Sequence, residues 1–279
     1  MALRDAGFAI TEIIARDLPQ SRQRALTLAT GVGARAVTVR SAAFDAALLW
    51  FCVPDGEIRN AAWLLSDHLL ARTMIPMKVG IRFALHSSGA LAAGELAPLR
   101  TAGVAVASVH PLMTFVAGAQ PSLAGVPFAL EGDAPATKLA RRIVRDLGGE
   151  SFLLPARRKA AYHAWATMTS PLLVAYLVTL EEAARAAGFS REVARRMSLP
   201  IIRQTVANYA SLGPDSSFSG PFIRGDAKTV EKHLALLEKN ASVRAVYGAL
   251  ARAALVQLPV KNREELRRLL EGSLKKFCP

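Results

Sequence analysis

Apolar and polar residues alternate in two different ways along this chain, and the change falls close to residue 155. Before it, short apolar runs alternate with stretches of helical spacing; after it, only the helical spacing continues. Short apolar runs are typical of buried strands, and apolar residues every three or four positions are typical of amphipathic helices. The pattern therefore predicts an α/β domain over residues 1–154 and an all-α domain over residues 155–279.

The first half predicts a parallel, doubly wound sheet, because its strands and helices follow one another in turn. We expect the end of a helix at residues 1–6, then strands and helices at the following positions: strands at 8–15, 36–39, 48–53, 82–86, 104–109 and 126–131, and helices at 19–29, 57–70, 91–102 and 134–147. The strand at 48–53 (LLWFCV) is apolar throughout, the pattern of a strand buried on both faces.

The second half predicts helices joined by short connections. The expected helices are 156–169, 171–187, 190–212, two within 228–258, and 262–277. Ser170 followed by Pro171 is typical of an N-cap and a first helical position, so one helix ends there and the next begins. Residues 213–226 are rich in glycine and proline, which predicts a loop.

Composition limits where the protein acts. Its 52% apolar and 20% charged residues are typical of a globular protein. The longest apolar run, residues 171–180, is too short to span a bilayer, and the first residues lack the apolar core of a signal peptide. Cys52 and Cys278 show neither disulfide nor metal spacing. We therefore predict a cytoplasmic protein with no metal site and no membrane association.

The net charge of +13 invites a nucleic-acid interpretation. The basic residues are scattered, however, and no known nucleic-acid module is recognisable. A basic surface also suits phosphorylated cofactors or small acids. We expect a small anionic substrate and no nucleic acid.

Lys159 and His163 are the first candidates for chemistry, because residues four apart share one face of a helix. Ser170 follows close to the same face. The alternative is that residues 157–159 are ordinary helix surface and His163 is a core histidine.

The glycine-rich turn that binds a dinucleotide in Rossmann domains is missing. Residues 31–36 match G-x-G-x-x-A by letter, but they follow a predicted helix and lead into a strand, whereas the motif must follow a strand and open a helix. Because residues 1–6 look like the end of the first helix, we expect the first strand and its glycine turn to be missing upstream, which would leave a gap in the sheet.

Three segments together resemble one family: residues 84–115 (ALHSSGALAAGELAPLRTAGVAVASVHPLMTF), 159–165 (KAAYHAW) and 220–226 (GPFIRGD). They are similar to the Rossmann-like NADP oxidoreductases whose C-terminal half is a helical domain of unknown function, relatives of pyrroline-carboxylate reductases and hydroxyacid dehydrogenases. The family normally begins with the strand and glycine turn that are missing here. The resemblance implies NADP as cofactor.

The resemblance also implies which residues contact the cofactor. Arg16 closes the second family strand, where an arginine accommodates a 2′-phosphate. The turns that follow two later strands would lie beside the nicotinamide and its ribose; they comprise Val53, Pro54 and Asp55, and then His86, Ser87, Ser88 and Gly89.

On the substrate side, Lys159 and His163 are similar to the Lys-x-x-x-Asn pair with which hydroxyacid dehydrogenases polarise a carbonyl and relay a proton, with histidine as the second member. An ammonium stabilises developing negative charge and an imidazole transfers protons near neutral pH. Substrate contacts are implied at His110, Pro111, Ser170, Arg224 and Asp226. The residue after Ser170 is commonly Asn in the family and is Pro171 here. In the loop, either Arg224 binds a substrate carboxylate with Asp226 holding it, or Asp226 only caps the next helix.

The sequence thus predicts an NADP-dependent oxidoreductase that transfers a hydride to or from a small carbonyl, hydroxy or imino acid. Ketopantoate is one substrate that the resemblance suggests. Helices such as 171–180 form dimers in related enzymes, so we expect a homodimer. The alternative is a catalytically silent NADP-binding regulator or scaffold.

Overall fold

The computed structural model of the chain describes residues 1–73 and 80–275, and its packing divides between Thr167 and Met168 into two compact units. The first unit therefore extends past residue 154 and includes most of the helix that carries Lys159 and His163. The end of the last predicted helix, at 276–277, and Cys278 lie outside the described residues.

The first unit is an α/β domain, as predicted. Its strands are β1 (Glu12–Ala15), β2 (Arg35–Thr38), β3 (Leu48–Phe51), β4 (Phe83–His86), β5 (Ala105–Pro111), β6 (Pro127–Gly132) and β7 (Glu150–Leu153). Its α-helices are α1 (Ala2–Asp5), α2 (Pro19–Val32), α3 (Ile58–Thr73), α4 (Ala134–Asp146) and α5 (Lys159–Thr169). Short 3-10 segments cover Asp55–Glu57 and Ala156–Arg158, and a longer one, Ala93–Ala102, replaces the helix expected at 91–102.

The strands form two sheets instead of one, with orders β1-β2 and β3-β4-β5-β6-β7. Ile14 of β1 and Val37 of β2 nevertheless pack against the apolar cluster that contains Phe51 and Ala84 of the larger sheet. In a doubly wound order, the position between β1 and β3 belongs to one further strand. The division lies where we expect the missing strand, which itself stays a prediction.

Strand β3 shows the effect of this division on burial. Leu49 packs on one face of the sheet, and Leu48 and Trp50 pack on the other, as a run of apolar residues predicts. All three are only half-buried, whereas most residues of β4 and β5 are buried. Among the described residues β3 pairs with β4 alone, so its other edge has no neighbouring strand.

The sheets are parallel, as predicted, except at one pair of strands, where β6 runs antiparallel to β5. A parallel pair needs a crossover, usually a helix. Residues 112–126 between these strands contain no helix, so the chain returns in the opposite direction. Strand β7, which pairs parallel with β6 after α4, was not predicted.

The G-x-G-x-x-A match is a helix end, as predicted. Gly31 lies in the last turn of α2, and Gly33 takes the left-handed conformation (φ 72°) that ends the helix. Ala34 then leads directly into β2. The segment is therefore a helix-to-strand turn and does not form a dinucleotide-binding loop.

The described part of the second unit is helical, as predicted. Its helices are α6 (Pro171–Arg185), α7 (Arg191–Ser217), α8 (Pro221–Arg224), α9 (Ala227–Leu236), α10 (Ala241–Gln257) and α11 (Arg263–Lys275). Gly213 interrupts α7 with non-helical backbone (φ 77°). The loop expected at 213–226 is wrong in detail, because the end of α7 and all of α8 lie within it.

Candidate active site

Three parallel strands of the first unit lie side by side and run toward the same edge of the sheet. Phe51 on β3 is in register with His86 on β4, and His86 is in register with Ser108 on β5. In α/β sheets of this kind, ligands bind outside the carboxyl ends of the strands. The residues that follow β3, β4 and β5 are therefore the candidate site.

The turns after β3 and β4 are tied together by Ser88. Its hydroxyl donates to Asp55 Oδ2 at 2.7 Å and accepts from the backbone N–H of Leu91 at 3.0 Å. Ser87 Oγ accepts from Trp50 Nε1 at 2.9 Å. Of the expected cofactor residues after β3, Asp55 thus contacts the next turn, while Val53 packs into the apolar cluster.

His86 is a fully buried, neutral member of this network. Its Nδ1 accepts from the backbone N–H of Ser88 at 3.2 Å, and its Nε2 lies 3.1 Å from the carbonyl oxygen of Ala92. These partners fix the tautomer with the proton on Nε2. Burial, opposed by the hydrogen bond to Ala92 and aided by the charge of Lys159, lowers the pKa of His86 to about 4.

Lys159 begins α5 and is also buried, with 2% of its surface exposed. Its ammonium donates to the carbonyl oxygen of Ser88 at 2.9 Å and to Ser108 Oγ at 2.5 Å. Ser108 Oγ in turn donates to the same carbonyl at 3.1 Å. Burial lowers the pKa of Lys159 to about 8, although the carboxylates of Glu131 and Asp55 oppose this shift. Lys159 is therefore not ordinary helix surface.

Two imidazoles flank Gly89. A Cβ atom on Gly89 would lie 2.7 Å from His110 Nε2 and 2.7 Å from His163 Cδ2, closer than side-chain contacts allow. Only glycine therefore permits both rings to approach the chain here. The ring centroids of His110 and His163 are 6.3 Å apart. His163 is exposed and is not the core histidine of the alternative interpretation.

Tyr162, which sequence reasoning did not assign to the site, belongs to this group. Its hydroxyl lies 2.9 Å from His110 Nδ1, and 7% of its surface is exposed. Sequence reasoning also missed Ser108 and Glu131, which are opposite each other on β5 and β6. The position of Tyr162 three residues after Lys159 was the one available signal, since such residues are neighbours on a helix surface.

The other expected site residues are distributed over both units. Arg16 is exposed directly after β1, and Pro111 ends β5. Ser170, Arg224 and Asp226 belong to the second unit. Ser170 occupies the N-cap position of α6 without a capping hydrogen bond from its side chain.

Asp226 caps α9, as the structural alternative for the glycine-rich loop requires. Its carboxylate accepts from Thr229 N at 3.1 Å and from Thr229 Oγ1 at 2.7 Å. Among the ion pairs of the described residues, none joins Asp226 to Arg224. The geometry of Asp226 is thus that of a helix cap.

The described residues include neither a metal-binding cluster nor a membrane-spanning helix. No group of three or more His, Cys, Asp or Glu side chains in residues 1–73 and 80–275 is arranged to hold a metal ion. Within the same residues, every helix is either too short or too polar to cross a bilayer.

The chain combines a Rossmann-like domain with a helical unit that follows it. A buried network of Lys159, Ser108 and the Ser88 carbonyl lies near the carboxyl edge of the sheet. Residues 126–254 match the family described as Domain of unknown function (DUF2520). No curated protein matches the chain.

Solved structures share the fold over almost the whole chain. One is protein TM1727 from Thermotoga maritima, with 22% identity, 97% of this chain and 94% of the other covered, and a TM-score of 0.66. Another is described as a candidate NADP oxidoreductase, BF3122 from Bacteroides fragilis, with 19% identity, 90% of each chain covered, and a TM-score of 0.69.

A third solved structure is pyrroline carboxylate reductase from Plasmodium falciparum with NADP bound. It shows 14% identity and a TM-score of 0.54, with 98% of this chain and 91% of the other covered. These neighbours confirm the fold that the resemblance implies, and the family match confirms the domain of unknown function over residues 126–254. At these identities they establish the fold alone.

Proposed function

We propose that this protein is an NADP-dependent oxidoreductase acting on a small carbonyl, hydroxy or imino acid. The observation that carries the proposal is the group of side chains at the carboxyl ends of β4 and β5, where Lys159 and His163 of α5 meet Ser88, Gly89 and His110. A cation and imidazoles at this edge suit a reaction in which an oxygen or nitrogen gains negative charge and a proton.

The residues present fit the nicotinamide half of the cofactor. Asp55 and Ser88 are joined at the ends of two adjacent strands, where polar groups would face the ribose and nicotinamide. Arg16 follows β1, where an arginine would bind the 2′-phosphate of NADP. The solved neighbour with NADP bound supports a nicotinamide cofactor.

The turn for the pyrophosphate is not found among the described residues. We propose that the sheet takes one further strand between β1 and β3, and that this strand leads into the glycine turn. The division of the sheet and the half-buried residues of β3 support this proposal.

A bound reduced nicotinamide would supply a hydride to the substrate carbon, and the oxygen or nitrogen that gains the π electrons must then take up a proton. His163 is exposed beside Gly89 and is the proposed proton donor. Lys159 is enclosed, and in this arrangement it acts as a fixed positive charge behind the site.

A homodimer is part of the proposal. Apolar side chains stay exposed along α6 and α7: Leu172, Leu173, Val174, Tyr176, Val178, Met197, Leu199, Ile201, Val206, Tyr209 and Leu212. A surface this rich in exposed apolar residues is typical of a protein interface. A second copy of this chain is the proposed partner.

The experiment is an NADPH fluorescence titration on the 279-residue chain and on a chain lengthened at its amino end by a strand, glycine turn and half-helix. Binding by the lengthened chain alone would support both the cofactor and the missing strand. NADPH oxidation would then be followed with small 2-oxo and imino acids, ketopantoate first. Failure of both well-folded chains to bind would reject the proposal.

The second candidate function is a catalytically silent NADP-binding protein, and the enclosure of Lys159 favours it. The ammonium already donates two hydrogen bonds inside the protein. NADPH binding without turnover of any acid tested would support this function over the enzyme.

A further inference from the structure

Tyr162 and His110 come from distant parts of the chain and form one hydrogen bond. Tyr162 lies on α5 and His110 near the end of β5, and the two rings meet edge-on, with centroids 5.5 Å apart at 88°. The distance from Tyr162 Oη to His110 Nδ1 is 2.9 Å. Tyr162 is buried, so the ring of His110 is held against a rigid partner.

The available hydrogen-bond partners decide whether the Tyr162 hydroxyl or His110 Nδ1 is the donor in this bond. Burial raises the pKa of Tyr162 to about 12, so its hydroxyl keeps its proton at neutral pH. Among the described residues, His110 is the only hydrogen-bond partner of this hydroxyl. If His110 Nδ1 carried a proton, the tyrosine proton would be buried without an acceptor, which is unfavourable. Tyr162 therefore donates to Nδ1.

The charge of His110 is set by its surroundings. Burial, the Lys159 ammonium and the neighbouring His163 lower the pKa of His110 to about 4, with Asp55 acting in the opposite direction. At neutral pH the ring is uncharged and carries its one proton on Nε2. Nε2 has no hydrogen-bond partner among the described residues, and it lies beside Gly89 in the candidate site.

We propose that Tyr162 is a positioning residue that holds His110 as the Nε2-protonated neutral imidazole, and that this fixed N–H donor binds the carbonyl oxygen of the substrate. The donor role rests on the oxidoreductase function proposed above. A neutral N–H donor can bind an oxygen lone pair, whereas a protonated imine offers none. The arrangement therefore selects 2-oxo acids over iminium substrates.

The tautomer of His110 can be tested by a measurement that does not require enzymatic activity. Nitrogen-15 NMR of the histidine-labelled full chain at pH 7 distinguishes protonated from unprotonated ring nitrogens, and the His110 signals are those lost in His110→Gln. The expected result is a protonated Nε2 and an unprotonated Nδ1, with this preference lost in Tyr162→Phe. A charged ring, the opposite tautomer, or an unchanged tautomer in Tyr162→Phe would overturn the proposal.

The wild-type spectrum alone decides the tautomer if Tyr162→Phe does not fold. The chain also offers a matched control in its second unit, where the Tyr247 hydroxyl lies 3.0 Å from His233 Nδ1. Tyr247→Phe removes the same kind of bond and should leave the His110 signals unchanged. A shift of those signals in the control would show a general structural effect and overturn the assignment.

The donor role of His110 is tested by turnover, measured on whichever of the two chains binds NADPH in the titration. Tyr162→Phe should lower kcat for a 2-oxo acid on the order of tenfold, the effect of one neutral hydrogen bond. KM should change little, and Tyr247→Phe should retain wild-type kcat. An unchanged kcat in Tyr162→Phe would overturn the donor role. No turnover by the wild type would instead reject the oxidoreductase function, and the tautomer would still be decided by NMR.

Discussion

The ammonium of Lys159 lies 2.9 Å from the carbonyl oxygen of Ser88, 71 residues earlier in the chain. This one contact attaches the start of α5 to the turn after β4. Ser108, on the neighbouring strand β5, completes the group by binding both partners. Tyr162 and His163 lie about one turn further along the same helix.

The first prediction concerns stability. Lys159→Met retains most of the volume of the side chain and removes its charge and its donors. The Ser88 carbonyl and the Ser108 hydroxyl would lose a buried partner, so the free energy of unfolding should fall by about 1–3 kcal/mol. Urea unfolding would show a lower midpoint with an unchanged slope.

The matched control is Lys138→Met, an exposed lysine on α4 of the same unit. Surface changes of this kind alter stability by less than about 0.5 kcal/mol. Equal stability of Lys159→Met and the wild type would contradict the structural account of this ammonium.

The second prediction concerns pH. The pKa of His86 is about 4 in the folded chain against an ordinary 6.5, so between these values the unfolded chain binds more protons. Stability must then fall as pH decreases from 6.5 to 4, by up to about 3 kcal/mol from this group. Protonation would also convert Nδ1 from an acceptor into a donor that faces the Ser88 N–H.

His86→Gln should remove this part of the pH dependence. Urea unfolding of both proteins at pH 7.5, 6.5, 5.5 and 4.5 would give two curves that converge as the pH falls. The comparison at pH 7.5 measures the lost hydrogen bonds alone, because His86 is neutral there in both states. Curves that stay parallel down to pH 4.5 would contradict the neutral, buried assignment of His86.

Helical spacing correctly placed Lys159 and His163 on one helix, because it depends on local order. The four-residue interval between Lys159 and His163 is the same in any α-helix. Spacing could not show which side of α5 is buried, since β5 and the turn after β4 supply the neighbours. Spacing therefore did not assign Tyr162 to the site, although burial is expected for an aromatic ring.

The sheet shows the same limit of sequence-based prediction, because strand direction depends on how distant segments are connected. The order of short apolar runs predicted the parallel strands β3, β4 and β5, but the direction of β6 depends on what joins it to β5. The lack of a helix within residues 112–126 was visible in the sequence and was the signal for an antiparallel pair. Strand β7 ends with Phe152 and Leu153 exposed, so it lacks the buried apolar run on which strand prediction relies.

The third prediction concerns cofactor choice. In the NADPH-binding protein, Arg16→Glu should weaken NADPH binding about 10-fold to 100-fold, the effect of one charged hydrogen bond, and leave NADH binding unchanged or stronger. Fluorescence titration with each cofactor measures the ratio. Arg141→Glu, an exposed arginine on α4, makes the same charge change and should alter neither affinity. Equal loss of NADPH affinity in both variants would show that Arg16 acts only through the net charge of the protein and does not bind the 2′-phosphate.

The last prediction concerns assembly. Ile201 on α7 is 68% exposed in the midst of the apolar residues of α6 and α7, where a dimer would bury it. Ile201→Asp would place a charge in that interface, and its dissociation constant should rise about 30-fold or more, as at other central interface positions. Val256 on α10 is 75% exposed and provides the matched control, because Val256→Asp adds the same charge on another helix. Sedimentation equilibrium of the three proteins measures the constant directly. A monomeric wild type would exclude the homodimer, and a dimer equally weakened by both variants would place its interface away from α7.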